Sequence, residues 1–211
     1  MNKAITLDNI KNGLMLCVAN KSRISDSIYS LPCIADIHYI FRYVLSKDDG
    51  TIASFLLTKD LADKMHVTNC DLLYTASEKI EPSEDILIGG LSEVICGYPS
   101  EDDELFIVTT KDMIYGAAIA FMFIPYVSYY LRSHYKVSNF YILPSSIHEC
   151  LIVPDKSNSY EFNYSELRSI VKEVNADPLC IYERSVLSDN VFYYSEKIGR
   201  IQVVEYEDKE D

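Results

Sequence analysis

Between Phe140 and Pro154 two short apolar runs, Phe140-Tyr141-Ile142-Leu143 and Cys150-Leu151-Ile152-Val153, flank the break Pro144-Ser145-Ser146, and Pro154 closes the second run. Runs of this length bounded by turn residues predict two buried strands joined by a tight turn. The stretch from Ser145 to Cys150 also carries the densest set of reactive side chains in the chain: two serines, a histidine, a glutamate and a cysteine.

The remaining pattern suits an α+β fold of antiparallel β-hairpins forming one or two sheets, with helices packed on one face. Leu7, Ile10, Leu14 and Val18 stand at helical spacing, with Asp8 in the first turn, and predict a helix from Leu7 to Val18. Asn20 to Pro32 is polar and irregular, with Ile24, Ile28 and Leu31 spaced for a short helix that Pro32 stops. Ile34 to Ser46 is rich in β-branched and aromatic residues and predicts a long strand. Lys47-Asp48-Asp49-Gly50 is a hairpin turn signal, and Thr51 to Leu57 returns as a strand. Thr58 caps a helix carrying Leu61, Ala62 and Met65, and another short helix starts at Asn69 or Asp71. Ile86 to Ile95 fits strand or helix. Its Gly89-Gly90 reads as a packing turn, since the third glycine or the Lys-Ser/Thr of a phosphate loop is missing.

From Leu105 the order strand, turn, strand, helix found between Ile37 and Met65 returns. It comprises a strand to Thr109, a turn from Thr110 to Met113, a strand from Tyr115 to Phe123 and a helix from Pro125 to Tyr135. Beyond the central hairpin, Asn163 and Glu166 form a capping box for a helix carrying Leu167, Ile170, Val171 and Val174. Val191 to Ser195 and Arg200 to Val204 predict a last hairpin around Lys197 to Gly199. The expectation is one domain over residues 1–211, with a candidate subdivision between 81 and 104 and an acidic tail from 205 to 211.

Charge narrows the partners. Lys and Arg number 19 against 32 Asp and Glu, a net charge of −13. A nucleic-acid binder needs a basic surface to release counterions from phosphates, and an anionic membrane surface makes the same demand. Both are disfavoured, which leaves a basic protein as the partner class, with solubility alone as the competing account. The candidate binding residues are the acidic loop Glu101, Asp102, Asp103 and Glu104, backed by the acidic tail. No oligomeric state follows from the pattern.

Six cysteines are scattered without a CxxC pair or zinc spacing and read as reduced, buried thiols of a cytoplasmic protein. His38, His66 and His134 are isolated, so no metal or cofactor is expected. Met113 to Leu131 lacks charge and is long enough to span a bilayer, but Gly116, Pro125 and several tyrosines interrupt it. A soluble protein is expected.

Strand geometry bears on the reactive stretch. On a strand His148 and Glu149 point to opposite faces, and His148 and Cys150 share a face roughly 6.5 Å apart. Cys150 runs into Leu151-Ile152-Val153 and reads as core. Ser145 and Ser146 lack the strand-to-helix elbow of a hydrolase nucleophile and suit turn hydrogen bonds. The stretch is therefore expected to be structural, with His148 beginning a strand and its imidazole bonded to a turn serine or a backbone carbonyl.

Several stretches together resemble an uncharacterised family from gut-associated Firmicutes, domain-of-unknown-function family number 5688. They are Leu16-Cys17-Val18-Ala19-Asn20 with Pro32 beyond it, Ala35-Asp36-Ile37, Tyr43-Val44-Leu45, Gly116-Ala117-Ala118-Ile119-Ala120, Tyr141 to Glu149 and Val174-Asn175-Ala176. Leu143-Pro144-Ser145-Ser146-Ile147-His148-Glu149 is the most specific, and the similarity runs from about Leu7 to Ile201. The resemblance implies no activity. It implies longer members at the N-terminus, so an activity resting on that segment is expected to be lacking here.

Two functions remain. One is a non-enzymatic acidic interaction protein binding a basic, nucleic-acid-binding protein, for example a mobile-element inhibitor of the anti-CRISPR or nucleic-acid-mimic kind. The alternative is a hydrolase or transferase using Ser145 or Ser146 with His148, assisted by Glu149 if the turn brings it round.

Overall fold

The computed structural model describes residues 6–46, 52–98, 104–155, 164–176 and 186–204. The chain divides into two units, residues 1–81 and 82–211.

In the first unit, α1 (Leu7–Ile10) is a single turn, followed by a 3-10 turn at Lys11–Gly13 and strand β1 (Leu14–Asn20). The helix expected to reach Val18 therefore ends at Ile10. Leu14, Leu16, Cys17 and Val18 are all buried. A strand buried on both sides shows no alternation, so its apolar run fits helical spacing by coincidence. Gly13 is required where the chain turns. A Cβ there would lie 2.3 Å from the Val44 carbonyl oxygen and 2.6 Å from the Tyr43 ring.

A 3-10 turn at Lys21–Arg23 leads to β2 (Ser30–Ile34), β3 (Ile37–Ser46) and β4 (Ile52–Leu56). The short helix expected before Pro32 is thus a strand. Pro32 fits because β2 is an edge strand, where a missing N–H donor is tolerated. β3 is the axis of this sheet. β1 pairs along one side of it, from Leu14↔Tyr43 to Asn20↔Ile37. On the other side β2 takes the first half and β4 the second, from Arg42↔Leu56 to Ser46↔Ile52. The expected turn at Lys47–Gly50 lies outside the described residues.

Helix α2 (Lys59–Met65) begins where expected, with the Thr58 side chain accepting from the Leu61 N–H. Helix α3 (Asn69–Ser77) is opened by a capping box between Thr68 and Asp71.

The second unit opens with α4 (Pro82–Asp85), strand β5 (Ile86–Gly90), α5 (Leu91–Cys96) and β6 (Phe106–Thr110). Ile86 to Ile95 is thus strand first and helix after, divided at the glycine pair. Helices α6 (Ala117–Met122) and α7 (Ile124–Tyr135) follow, then β7 (Phe140–Leu143), β8 (Cys150–Pro154), α8 (Tyr164–Asn175), β9 (Phe192–Ser195) and β10 (Arg200–Val203). The six strands form one antiparallel sheet in the order β10-β9-β7-β8-β6-β5.

α6 corrects the strand expected from Tyr115 to Phe123, and with it the repeated strand-turn-strand-helix unit. Ala117, Ala118, Ile119, Ala120 and Phe121 are all buried. A helix enclosed on every side shows no apolar stripe, while its three alanines favour helix intrinsically. The uncharged stretch from Met113 to Leu131 is accordingly broken at Phe123 between two helices. Among the described residues no helix is long and apolar enough to cross a membrane.

The α+β class holds, but helices are not confined to one face of the larger sheet. Phe106, Ile152, Ile142 and Phe192 are cross-strand neighbours on one face. There Phe121 of α6 meets Phe192 edge-on at 5.5 Å and Tyr135 of α7 packs on Phe106 at 4.6 Å. The opposite face carries Tyr141, Leu143 and Tyr193, which pack with Leu167 and Val171 of α8.

Candidate functional site

Strands β7 and β8 pair from Phe140↔Pro154 to Leu143↔Leu151, so the hairpin is present, joined by residues 144–149. Because β8 begins at Cys150, His148 and Glu149 belong to the connection and strand alternation does not govern them. The connection is instead shaped by its own side chains. Both serine hydroxyls donate to Glu149 Oε1, Ser145 at 3.1 Å and Ser146 at 2.7 Å. Ser146 Oγ in turn accepts from the His148 N–H at 2.9 Å, and the Ser146 N–H donates to the Glu149 carbonyl at 3.3 Å. These are the turn-stabilising bonds that serine forms readily.

The connection lies against the segment between β6 and α6. That segment winds round the Thr110 hydroxyl, which donates to Asp112 Oδ1 at 2.6 Å and accepts from the Ile114 N–H at 3.2 Å. Met113 and Tyr115 adopt left-handed backbone, with φ of 57° and 55°. For bulky residues this conformation persists only where surrounding contacts enforce it.

At Tyr115 those contacts come from His148. The Tyr115 N–H donates to His148 Nδ1 at 3.1 Å, and its ring stacks on the imidazole at 5.3 Å and 28°. An N–H can only donate, so Nδ1 is the unprotonated nitrogen and the ring proton sits on Nε2. The imidazole therefore bonds a backbone N–H, in place of the serine or carbonyl expected.

Three further contacts seal the two segments together. Thr109 Oγ1 donates to the His148 carbonyl at 2.8 Å, and the Ala117 N–H donates to the Ile147 carbonyl at 3.4 Å. The Cys150 thiol, fully buried as expected for core, reaches the Ala117 carbonyl at 3.8 Å. Gly116 makes the approach possible. A Cβ there would sit 2.4 Å from Thr109 Oγ1, 2.4 Å from the Thr110 nitrogen and 2.7 Å from the His148 carbonyl oxygen.

Of the candidate residues, the structure brings Ser145, Ser146 and Glu149 together and gives His148 to Tyr115. Chemically, both serine hydroxyls contact the Glu149 carboxylate, Ser146 more closely, and the acceptor nitrogen of His148 is occupied by the backbone. Tyr115, Thr109 and Gly116 complete the arrangement, and sequence reasoning missed their part in it. Their signal was the glycine opening the Gly116–Ala120 run, which is legible as a close approach only once its partner is known.

Elsewhere the expected features are dispersed. His38 Nδ1 lies 3.4 Å from Ser30 Oγ, and burial followed by the Lys21 charge lowers its pKa. His66 ends α2 in left-handed backbone, and His134 stacks on Tyr130 at 4.1 Å. Among the described residues no group of three or more His, Cys, Asp or Glu is placed to hold a metal ion. Glu104 is exposed, whereas Glu101, Asp102 and Asp103 lie outside the described residues, as does Asn163. Cys17 and Cys150 are buried free thiols, Cys33 is half-buried, and Cys70 departs from expectation by being exposed on α3.

Within each unit, two of the stretches that carry the resemblance meet. Gly116–Ala120 packs on Ser145–Glu149, and the Asn20 side chain donates to Asp36 Oδ2 at 2.7 Å in the first unit. No curated protein matches the chain. No solved structure matches it either. The model of the family of unknown function DUF5688 matches residues 1–196, and the chain belongs to that family.

Proposed function

We propose that the chain works by binding, as a non-enzymatic interaction protein whose acidic second unit engages a basic protein partner. The distribution of charge carries this reading. Residues 1–81 hold 10 acidic and 9 basic side chains, whereas residues 82–211 hold 22 and 10. The net charges are therefore −1 and −12, and charge serving solubility alone needs no such division. Nine of the 22 lie in two runs, 101–104 and 205–211. Dense carboxylates of this kind suit the groove of a nucleic-acid-binding protein, where they take the place of phosphates. The commitment of both serine hydroxyls to Glu149, away from His148, supports binding over the hydrolase alternative.

The test is capture of proteins by the immobilised chain from a nuclease-treated bacterial lysate. The expected partners are basic nucleic-acid-binding proteins, released between low and moderate salt and displaced by added DNA. Recovery of only neutral or acidic proteins, insensitive to salt, would contradict the reading. Labelling of Ser145 or Ser146 by a fluorophosphonate probe would replace it with the enzymatic one.

A further inference from the structure

Strands β2 and β4 lie on the same side of β3, and their outer edges are built differently. β2 carries Pro32 and a register shift between Pro32 and Ile34, and both discourage further pairing. β4 carries neither, and no charged residue lies between Thr51 and Thr58. Among the described residues β4 pairs with β3 alone. Sheets ordinarily shield such an edge with charge, proline or a bulge, because an unshielded one is a template for another strand.

The backbone direction of β4 follows from its neighbours. In an antiparallel strand the N–H and C=O groups of successive residues point alternately to the two sides. The Leu57 N–H donates to the Phe41 carbonyl at 2.8 Å, so Leu57 faces β3, and with it Phe55 and Ala53. The Val44 carbonyl agrees with this alternation, since it points to the β1 side, where a Cβ on Gly13 would meet it. The backbone groups of Ile52, Ser54 and Leu56 therefore face away from β3. The side chains of Tyr43, Leu45, Ala53 and Phe55 share one face of the β3–β4 ribbon, with the Tyr43 and Phe55 rings 5.3 Å apart. Leu45 and Phe55 remain 43% and 40% exposed.

We infer that β4 pairs antiparallel with β4 of a second copy of the chain, about a two-fold axis at Ser54, so that one sheet runs through a homodimer. Two observations favour a second copy over another occupant. The first is that the strand is its own complement in this register. Ser54 of the two copies exchange a pair of hydrogen bonds, and Ile52 of each exchanges a pair with Leu56 of the other. Each Ala53 then lies beside Phe55 of the other copy, small against large. The apolar row Tyr43, Phe55, Ala53, Leu45 crosses the axis twice without meeting a charge. The second is charge. Copies that each carry −13 repel unless they meet through neutral surface, and residues 1–81 sum to only −1. A basic partner, by contrast, finds no carboxylate on this strand to pair with. The inference is separate from the reading of the acidic second unit.

The experiment is analytical ultracentrifugation of the full chain across a dilution series, joined to residue-resolved hydrogen-exchange mass spectrometry at its two ends. One strand pair makes a small interface, so the expected dimer forms at about 100 μM and dissociates towards about 1 μM. The Ser54 and Leu56 amides should lose protection on dilution, while the Phe55 amide, which faces β3, should keep it. Ser54→Pro removes an outward N–H from each copy and leaves the bonds to β3 in place. Dimerisation should weaken about 30-fold, the value of two hydrogen bonds. If proline lowers the unfolding midpoint, Ser54→Lys takes its place, setting like charges across the axis from an exposed position. A monomer at every concentration, a dimer that the folded variant leaves unchanged, or Ser54 and Leu56 protection indifferent to dilution would each overturn the proposal. So would a monomer whose Ser54 and Leu56 amides gain protection only when a captured protein is added, which would give this edge to a different partner. The strand is uncharged, so failure here leaves salt-dependent capture of a basic partner standing, and the converse also holds.

Discussion

His148 illustrates how a residue that looks reactive can be occupied by structure. Its Nδ1 accepts the Tyr115 N–H, its ring stacks on Tyr115 and its carbonyl accepts from Thr109. In His148→Ala the Tyr115 N–H loses its acceptor while Tyr115 remains in left-handed backbone, a combination expected to cost about 1–3 kcal/mol. Urea unfolding should show a lower midpoint. An unchanged midpoint together with loss of a measurable activity would return His148 to catalysis. Cys17 offers a second test at this scale. Burial pushes its thiol from an ordinary 9.0 up to about 12, partly offset by Arg42. A raised folded-state pKa means that the native state keeps a proton the unfolded chain releases. The resulting stability is complete below the unfolded pKa and is lost as pH rises through the folded one, between about 9 and about 12. Cys33, raised by burial to about 11, adds to the same window. Stability should therefore fall across that range, and Cys17→Ala should flatten the slope without abolishing it. An identical slope in the variant would contradict the assignment.

At the scale of elements, the close contact between Gly116 and the 144–149 connection decides the geometry of the candidate site. In Gly116→Ala the new methyl meets two backbone atoms and Thr109 Oγ1, none of them the end of a flexible side chain. The two segments must separate, at a cost of about 1–3 kcal/mol, as overpacking usually exacts. Thermal unfolding should show a lower midpoint, and the Tyr115 and Ala117 amides should exchange faster with solvent. Wild-type stability and protection would show that the contact is looser than described. Much of this fold was legible from local signals. β3, the capped helix α2, the β7–β8 hairpin and the β9–β10 hairpin announce themselves through alternation, caps and turn residues. β1 and α6 did not, for related reasons: α6 is buried all round, and β1 buries residues of both faces from Leu16 to Val18, so periodicity carries little information. The candidate site was half legible. The serines, His148 and Glu149 stood out as a cluster, but the division between a Ser–Glu group and a His–Tyr115 contact depends on a segment some 33 residues away in sequence.

At the scale of the molecule, the asymmetry between a nearly neutral first unit and a second unit at −12 is the feature that speaks to function. Electrostatic recognition acts beyond contact distance, and salt weakens it over a Debye length of about 8 Å at physiological ionic strength. Burial of apolar surface in a partner interface lacks that dependence. The direct measurement is the affinity of the chain for its captured partner over a range of salt concentrations, in the wild type and in a variant with Glu101 and Glu104 changed to Gln and Asp102 and Asp103 changed to Asn. The account predicts weaker binding at low salt and a shallower salt dependence in the variant, with the two proteins converging as salt rises. Equal affinity and an equal, shallow slope in both would contradict it.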